Sequence, residues 1–274
     1  MMNGKRYVHG YSTRESGRLF DQATTLTGLL HHDTHYGDGA NVLEAGCGVG
    51  AQTVALARQS PGARFTSVDC SAGSLEIARA RAAGAGLSNV TFEQADIYRL
   101  PFPDESFDHV FVCFVLEHLH DPSLALARLK AVLKPGGTIT VIEGDHGSAY
   151  FYPRSSEADK TIDCLVSLQD KAGGNALIGR EVYPLLAASG FCDVRVSPRM
   201  VYVDASRQDL VEGFTKQTFI AMVEGVGEDA IGNGLVTRAE WDRGIRDLFR
   251  TCRNDGVFCY TFFKGTGTKG HDGA

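Results

Sequence analysis

Apolar and polar residues in the first half of the chain follow two alternating periods, which predict strands and helices in turn. Short apolar runs bounded by turn residues predict strands at 42–45, 64–68, 90–94, 109–114 and 138–143. Segments of helical period lie between them, after Gly50, at 71–83 and at 122–133. Strict alternation of this kind predicts right-handed crossovers and a parallel sheet with helices on both faces.

The regular alternation stops after Glu143, where a loop and insertions begin. The later elements are predicted as a helix at 155–171, a helix at 180–188, a strand at 194–203, a mostly helical insertion at about 206–254 and a strand at 257–263. From Gly265 onward the chain is rich in glycine, and we expect this tail to be disordered. A helical segment at 14–30 precedes the first strand.

The most informative segment is 42–50, where an apolar strand passes through Glu44 into a GxGxG turn ahead of a helix. Glycine lets the backbone turn sharply and lets a ligand approach the main chain. The second strand ends on Asp69, about 20 residues past the glycines, where an acid that binds a ribose belongs. The turn alone indicates a nucleotide-type cofactor, and a dehydrogenase would show a similar one.

Composition narrows the classes of partner. The net charge of the 274 residues is -6, and Lys and Arg are scattered without a basic stripe, so we expect no nucleic-acid partner. No apolar run resembles a signal peptide or spans a bilayer, which predicts a cytoplasmic protein that does not bind membranes. The seven cysteines show neither a CxxC pair nor zinc-ligand spacing, so we expect no metal and no disulfide framework.

Four further motifs follow the glycine turn and Asp69 in order. They are QADI at 94–97 with LPF at 100–102, SFD at 106–108, CFVLEHL at 113–119 and LKPGG at 133–137. On these motifs, residues 41–143 resemble a class I S-adenosylmethionine-dependent methyltransferase, of the group that includes the ubiquinone and menaquinone biosynthesis C-methyltransferases.

The resemblance implies the fold and the cofactor. The fold is α/β, with a Rossmann-like, mostly parallel sheet of seven strands, an antiparallel last strand and helical cap insertions at about 147–178 and 205–254. The cofactor is S-adenosyl-L-methionine, and the product is S-adenosyl-L-homocysteine. The residues implied to bind it are Glu44, Gly46, Cys47, Gly48, Gly50, Asp69, Cys70, Asp96, Ile97, Cys113 and Phe114.

Individual roles follow from the same resemblance. Asp69 is expected to accept both ribose hydroxyls, Asp96 the adenine amino group, and Glu44 to orient the glycine turn. Each of the two aspartates also has an alternative role, Asp69 as a helix N-cap and Asp96 as the cap of a short turn. Cys47 and Cys113 are expected to act through backbone atoms, because their side chains suit packing.

Residues 1–35 are interpreted as an N-terminal helical lid, ahead of a methyltransferase domain at 36–274. In related methyltransferases an N-terminal helix often folds over the bound cofactor. We therefore expect Tyr11 and Arg18, together with Gln22, to exclude water and contact the methionyl carboxylate. A disordered leader is the alternative.

Methyl transfer from a sulfonium is an in-line displacement, so the protein must align an acceptor and exclude water. The loops after the first, fourth and fifth strands are the expected site, because ligands of open parallel sheets lie beyond the carboxyl ends of the strands. His146 is the candidate general base, oriented by Asp145 or by Glu143. The alternatives are catalysis by proximity alone and, for Glu143, a bond to loop backbone.

These interpretations favour an enzyme that methylates a small molecule at oxygen, nitrogen or carbon. A protein or nucleic-acid methyltransferase and a regulatory module that binds the cofactor without turnover are the alternatives. The aromatic residues at 150–152 suit either the wall of an acceptor pocket or the core of the insertion. The apolar residues of the second insertion suit helical core, an acceptor pocket or the surface of a homodimer.

Overall fold

The computed structural model describes residues 25–271, which divide into two compact units. We call residues 27–143, 179–199 and 263–271 the first unit, and residues 25–26, 144–178 and 200–262 the second unit. The strands are β1 Asn41–Ala45, β2 Arg64–Asp69, β3 Val90–Gln94, β4 Phe107–Cys113, β5 Leu133–Gly144, β6 Tyr150–Tyr152, β7 Phe191–Val203 and β8 Val257–Lys269. The helices are α1 Ala51–Gln59, α2 Ala72–Gly84, α3 Pro122–Val132, α4 Ser156–Lys171, α5 Val182–Ala188, α6 Gln208–Leu210, α7 Ala221–Glu224, α8 Gly227–Gly232 and α9 Arg238–Arg250.

The first unit contains the predicted parallel sheet, with strands in the order β3-β2-β1-β4-β5-β8 and with β7 also paired to β8. The pairs β1/β2, β1/β4, β2/β3 and β4/β5 are all parallel. The central strands β1 and β4 are almost wholly buried, as is typical of a sheet covered on both faces. Their apolar residues, among them Leu43 and Phe111, form the core of this unit.

Strand β5 begins earlier than predicted. The LKPGG segment was expected to end a helix and form a turn, but it lies inside β5 as a bulge, where the register passes from Phe107 opposite Leu133 to His109 opposite Thr138. Gly136 has a φ of 78°, which the extra residues of a bulge require. The prediction of a strand at 138–143 therefore identified only the regular part of β5.

The prediction of a disordered tail from Gly265 is wrong, because β8 continues to Lys269. A Cβ atom on Gly265 would lie 2.4 Å from Val182 Cγ1, and one on Gly267 would lie 3.0 Å from Phe191 Cβ. These glycines therefore let the strand pass close to α5 and β7. Lys264 is also fixed in this unit, where its Nζ lies 2.5 Å from Asp33 Oδ1 and 2.6 Å from Thr34 Oγ1.

The second unit contains the predicted helical insertions. Helix α4 starts at the N-cap Ser155, and α9 starts with a capping box formed by Thr237 and Glu240. The two helices pack closely, since a Cβ on Gly244 would lie 2.4 Å from Glu157 O. The sequence did not predict β6, which pairs antiparallel with the start of β8, nor the π-helical stretch Val211–Ile220.

Candidate active site

The three glycines of the GxGxG turn have different surroundings. Gly46, Gly48 and Gly50 have φ values of 77°, 51° and 75°, a region that other residues rarely adopt. A Cβ on Gly46 would lie 2.4 Å from Val115 Cγ2, and one on Gly50 would lie 2.9 Å from Ala78 Cβ. A Cβ on Gly48 would meet no atom within 4 Å. Gly48 is therefore the point in this turn where the main chain is open to a ligand.

Asp69 connects the glycine turn to the end of β2. Its Oδ2 accepts a hydrogen bond from Gly48 N at 2.9 Å, and its Oδ1 accepts one from Ser71 N at 2.8 Å. The N-cap of α2 is Ser71, whose hydroxyl accepts from Ser74 N, so the alternative of Asp69 as the cap is wrong. Each carboxylate oxygen can accept a second hydrogen bond, and Asp69 is only half-buried.

Glu44 is in β1, two residues before Gly46, and is buried. Its Oε2 accepts hydrogen bonds from the hydroxyls of Thr53 and Ser67, both at 2.6 Å. Burial raises the pKa of Glu44 to about 6, and these two hydrogen bonds oppose that rise. Through Thr53 and Ser67, Glu44 thus links the first turn of α1 to strand β2.

Asp96 and Cys70 lie at the same edge of the sheet as Asp69. The register pairs Asp69 with Gln94, and the Gln94 side-chain amide donates to Cys70 O at 2.8 Å. Asp96 is exposed, and its Oδ1 accepts from Tyr98 N at 2.9 Å. Asp96 therefore caps a short turn, which was the alternative role predicted for it. Ile97, within that turn, is half-buried.

The chain turns sharply where β4 ends. Cys113 is the last residue of β4, and Phe114 has a φ of 57°, which is rare for a residue with a side chain. Phe114 N donates to Ile142 O at 2.9 Å, so the turn is bound to β5. The side chains of Cys113 and Cys47 are buried, which raises the pKa of both thiols.

Two buried groups of the first unit, Glu143 and His31, support these turns, and of the two only His31 has no predicted role. Glu143 Oε1 accepts hydrogen bonds from Val115 N at 3.0 Å and from Leu116 N at 2.8 Å. His31 is fully buried, with Nε2 2.6 Å from Gln52 Oε1 in the first turn of α1, and burial lowers its pKa to about 4. The bonds of Glu143 confirm its predicted alternative of a bond to loop backbone. The contact of His31 joins residues far apart in the chain, so no local pattern signals it.

Comparison with known proteins identifies the part of the chain that contains these turns. Residues 43–141 match the model of the methyltransferase domain family. Residues 43–141 form a class I methyltransferase domain.

Three matches show how far this likeness extends. An uncharacterized 37.1 kDa protein in transposon TN4556 of Streptomyces fradiae is 34% identical over 189 residues, 68% of this chain and 54% of that protein. Demethylmenaquinone methyltransferase from Clavibacter sepedonicus is 41% identical over 105 residues, 38% of this chain and 41% of that protein. A structure of phosphoethanolamine N-methyltransferase 2 from Haemonchus contortus in complex with S-adenosyl-L-methionine has a TM-score of 0.58 at 17% identity, covering 93% of this chain and 57% of that one.

The chain spans about half the length, or less, of these curated relatives. The low identity to the Haemonchus contortus structure supports the fold alone. Since the matched segment ends at residue 141, the methyltransferase domain accounts for the turns after β1, β2, β3 and β4. The second unit has to be interpreted from its own contacts.

The geometry of the methyltransferase domain fits S-adenosylmethionine. The open direction at Gly48 leaves room for a ligand against the main chain, and Asp69 beside it has acceptor capacity for ribose hydroxyls. Helix α1 begins after Gly50, which has no side chain to cap it. Its first N–H groups can therefore receive a carboxylate such as that of the methionyl group.

His146 and Asp145, the predicted catalytic residues, are buried in the second unit. His146 Nδ1 lies 2.7 Å from Tyr260 Oη, and the His146 ring meets that of Phe219 edge to face. Asp145 Oδ1 accepts from Gly147 N at 3.0 Å and caps the short helix at 146–148. Tyr260 lies 114 residues from His146 in the chain, so no local pattern predicts this contact.

Two further contacts lie in the second unit, one between Gly144 and Tyr260 and one between Phe151 and Phe258. A Cβ on Gly144 would lie 2.4 Å from Tyr260 Oη, so glycine at this position makes room for the tyrosine. Phe151 is buried and stacks on Phe258 with an interplanar angle of 6°. Tyr150 and Tyr152 are 58% and 60% exposed, so of the three aromatic residues only Phe151 belongs to the core.

The remaining predictions fall into two groups. Tyr11, Arg18 and Gln22 lie outside the described residues. Between residues 25 and 271, no three His, Cys, Asp or Glu side chains are grouped as a metal ion requires, and all seven cysteines are free thiols. No helix in that same range combines the length and the apolar character needed to cross a bilayer.

Proposed function

We propose that this protein transfers a methyl group from S-adenosylmethionine to a small-molecule acceptor. The observation that carries the proposal is the bond between Asp69 Oδ2 and Gly48 N. It places an acid with spare acceptor capacity beside the open main chain of a glycine turn, which is what a ribose next to a methionyl group requires. The match to a relative named demethylmenaquinone methyltransferase supports a small-molecule acceptor, as does the net charge of -6.

The chemistry divides between positioning and proton removal. When bound, S-adenosylmethionine supplies a methyl group on a positively charged sulfur. Asp69 and the backbone at Gly48 would hold the donor in a fixed position for transfer of this methyl group to an acceptor. For an acceptor with an ionisable O–H or N–H group, a base takes up the proton that is released.

We further propose that His146 is this base, with Asp145 shaping its loop. In the tautomer in which Nδ1–H donates to the Tyr260 hydroxyl oxygen, Nε2 is the proton-accepting nitrogen. Imidazole is the most frequent general base of enzymes, and a neutral imidazole can take a proton from a phenol or a related group. Asp145 holds the short helix that begins with His146 through its bond to Gly147 N.

Calorimetry tests the cofactor assignment. The full chain is titrated with S-adenosylmethionine, S-adenosylhomocysteine and NAD, and we expect the first two to bind and NAD not to bind. Asp69→Asn is expected to weaken binding by about tenfold to a hundredfold, since hydrogen bonds to charged groups contribute about 1.5–3 kcal/mol. Asp108→Asn is the matched control, because Asp108 bonds Asn41 N and Lys134 at the opposite end of the sheet. Binding of NAD alone would overturn the proposal.

A turnover screen tests the acceptor class and the base. Release of S-adenosylhomocysteine is measured with phenols, carboxylic acids, quinone precursors and amines as acceptors. His146→Ala is expected to lower kcat for phenols at neutral pH, with a deficit that shrinks as the pH passes the pKa of the acceptor, and Tyr260→Phe to lower it less. Normal turnover by His146→Ala means catalysis by proximity alone. Cofactor binding without release for any acceptor points to a regulatory module.

A further inference from the structure

We propose that Glu143 is a positioning residue for the cofactor: its carboxyl group holds the turn after β4 so that Val115 closes against Gly46. The inference rests on the proposed function, because it treats the glycine turn as the turn that binds S-adenosylmethionine. All the residues involved belong to the first unit.

The first contact is between Glu143 and the turn after β4. Glu143 has no exposed surface, and its Oε1 accepts from two consecutive N–H groups, Val115 at 3.0 Å and Leu116 at 2.8 Å. These follow directly on Phe114, whose φ of 57° is unfavourable for a residue with a side chain. The bonds from Glu143 therefore stabilise a conformation that the sequence of the turn disfavours.

The second contact is between Val115 and the glycine turn. A Cβ on Gly46 would lie 2.4 Å from Val115 Cγ2 and 3.0 Å from Val115 Cγ1. The isopropyl group of Val115 therefore lies directly against the Gly46 main chain. On its other side, Gly46 N donates to Val68 O at 2.8 Å. Gly46 is thus held between Val115 and β2, and a shift of Val115 changes the shape of the turn.

Glu143 can accept these two hydrogen bonds in its neutral, protonated form. Burial raises the pKa of Glu143 well above its ordinary value, and the nearby charge of Glu117 raises it further. The carbonyl oxygen of a neutral acid still accepts two hydrogen bonds, and so does the carbonyl oxygen of glutamine. Replacement by glutamine therefore keeps the contact with Val115 and Leu116, whereas alanine removes it.

The experiment compares the affinity of the full chain for S-adenosylhomocysteine, measured by calorimetry, in four variants. Glu143→Ala is expected to weaken binding at least tenfold, and Glu143→Gln to stay within threefold of wild type. Val115→Ala is expected to weaken binding, and the double variant Glu143→Ala/Val115→Ala to bind no more weakly than Glu143→Ala alone, because both changes act on the same contact. If Glu143→Ala does not fold, Glu143→Asp replaces it, since its shorter side chain does not reach both N–H groups.

The outcomes separate this inference from the proposed function. A wild-type chain that does not bind S-adenosylhomocysteine overturns both. A wild-type chain that binds, together with Glu143→Ala of equal affinity, overturns the positioning role alone. Equal losses in Glu143→Gln and Glu143→Ala, or additive losses in the double variant, also overturn it. If Glu143 has a purely structural role, Glu143→Ala lowers the unfolding free energy measured in urea, but the affinities do not show retention in Glu143→Gln together with non-additive losses in the double variant.

Discussion

Replacing Gly48 by alanine is expected to remove most of the cofactor affinity while leaving the domain folded. Gly48 has a φ of 51°, so alanine there costs about 1–2 kcal/mol of backbone strain. The new methyl group meets no protein atom within 4 Å, so no packing cost is added in the free protein. It projects instead into the space that we assign to the methionyl part of the cofactor.

The loss of affinity can be estimated from the same geometry. An extra methyl group in a close contact typically costs about 1–3 kcal/mol, which corresponds to about a fivefold to 150-fold rise in Kd. We therefore expect Gly48→Ala to bind S-adenosylhomocysteine at least fivefold more weakly than wild type. The unfolding free energy should fall only by the backbone strain.

Gly39→Ala is the matched control for this prediction. Gly39 has a φ of 80°, and a Cβ there also meets nothing within 4 Å, but it precedes β1 at the end of the strand opposite to the glycine turn. Gly39→Ala is expected to lose about 1–2 kcal/mol of stability, as Gly48→Ala does, and to keep the affinity of wild type. Calorimetric titration and urea unfolding of both variants give the two quantities, and equal affinity of Gly48→Ala and Gly39→Ala would refute the reasoning.

Three other predictions concern the buried groups and the last strand. Because the pKa of Glu44 rises from 4.5 to about 6 on folding, the unfolding free energy should fall by about 2 kcal/mol as the pH rises through that range, and urea unfolding of Glu44→Gln should lack this fall. The pKa of His31 falls from 6.5 to about 4 on folding, so about 3 kcal/mol should be lost as the pH falls through that range, and His31→Gln should lack this loss. A constant difference between either variant and wild type at pH 4.5 and pH 7 contradicts the corresponding assignment. Gly265→Ala should lower stability in thermal unfolding by about 1–3 kcal/mol through its clash with Val182, and Val182→Ala should restore part of it.

The parts of the fold that the sequence predicts are those with local signals. The parallel strands β1, β2 and β4 are short, largely apolar runs, and most of their residues are buried, as is typical of a sheet that helices cover on both faces. Asp69 could be placed at the carboxyl end of β2 because the apolar run stops there. The antiparallel pairing of β6 was not predicted, since three residues are too few to show a period.

The parts that were missed depend on partners far away in the chain. The glycines of β8 looked like a disordered tail because glycine carries no apolar signal, yet Gly265 and Gly267 allow close approach to Val182 and Phe191. His146 was chosen for its chemistry, and its partner Tyr260 could not be found from neighbouring residues. Since each contact pairs one residue with another from a distant element, only the folded chain reveals it.

The first turn of α1 shows how such distant contacts act together. Two consecutive residues in it are bound by buried titratable groups, Gln52 by His31 and Thr53 by Glu44. Between pH 4.5 and 6 the titration of Glu44 lowers stability as the pH rises, whereas that of His31 raises it, so the two effects oppose each other. In Glu44→Gln, of these two groups only His31 still titrates in this range, and in His31→Gln only Glu44 does. The difference in unfolding free energy between variant and wild type should therefore change with pH in opposite directions for the two variants. Because α1 follows the glycine turn directly, both titrating groups contact the helix start beside the proposed cofactor site.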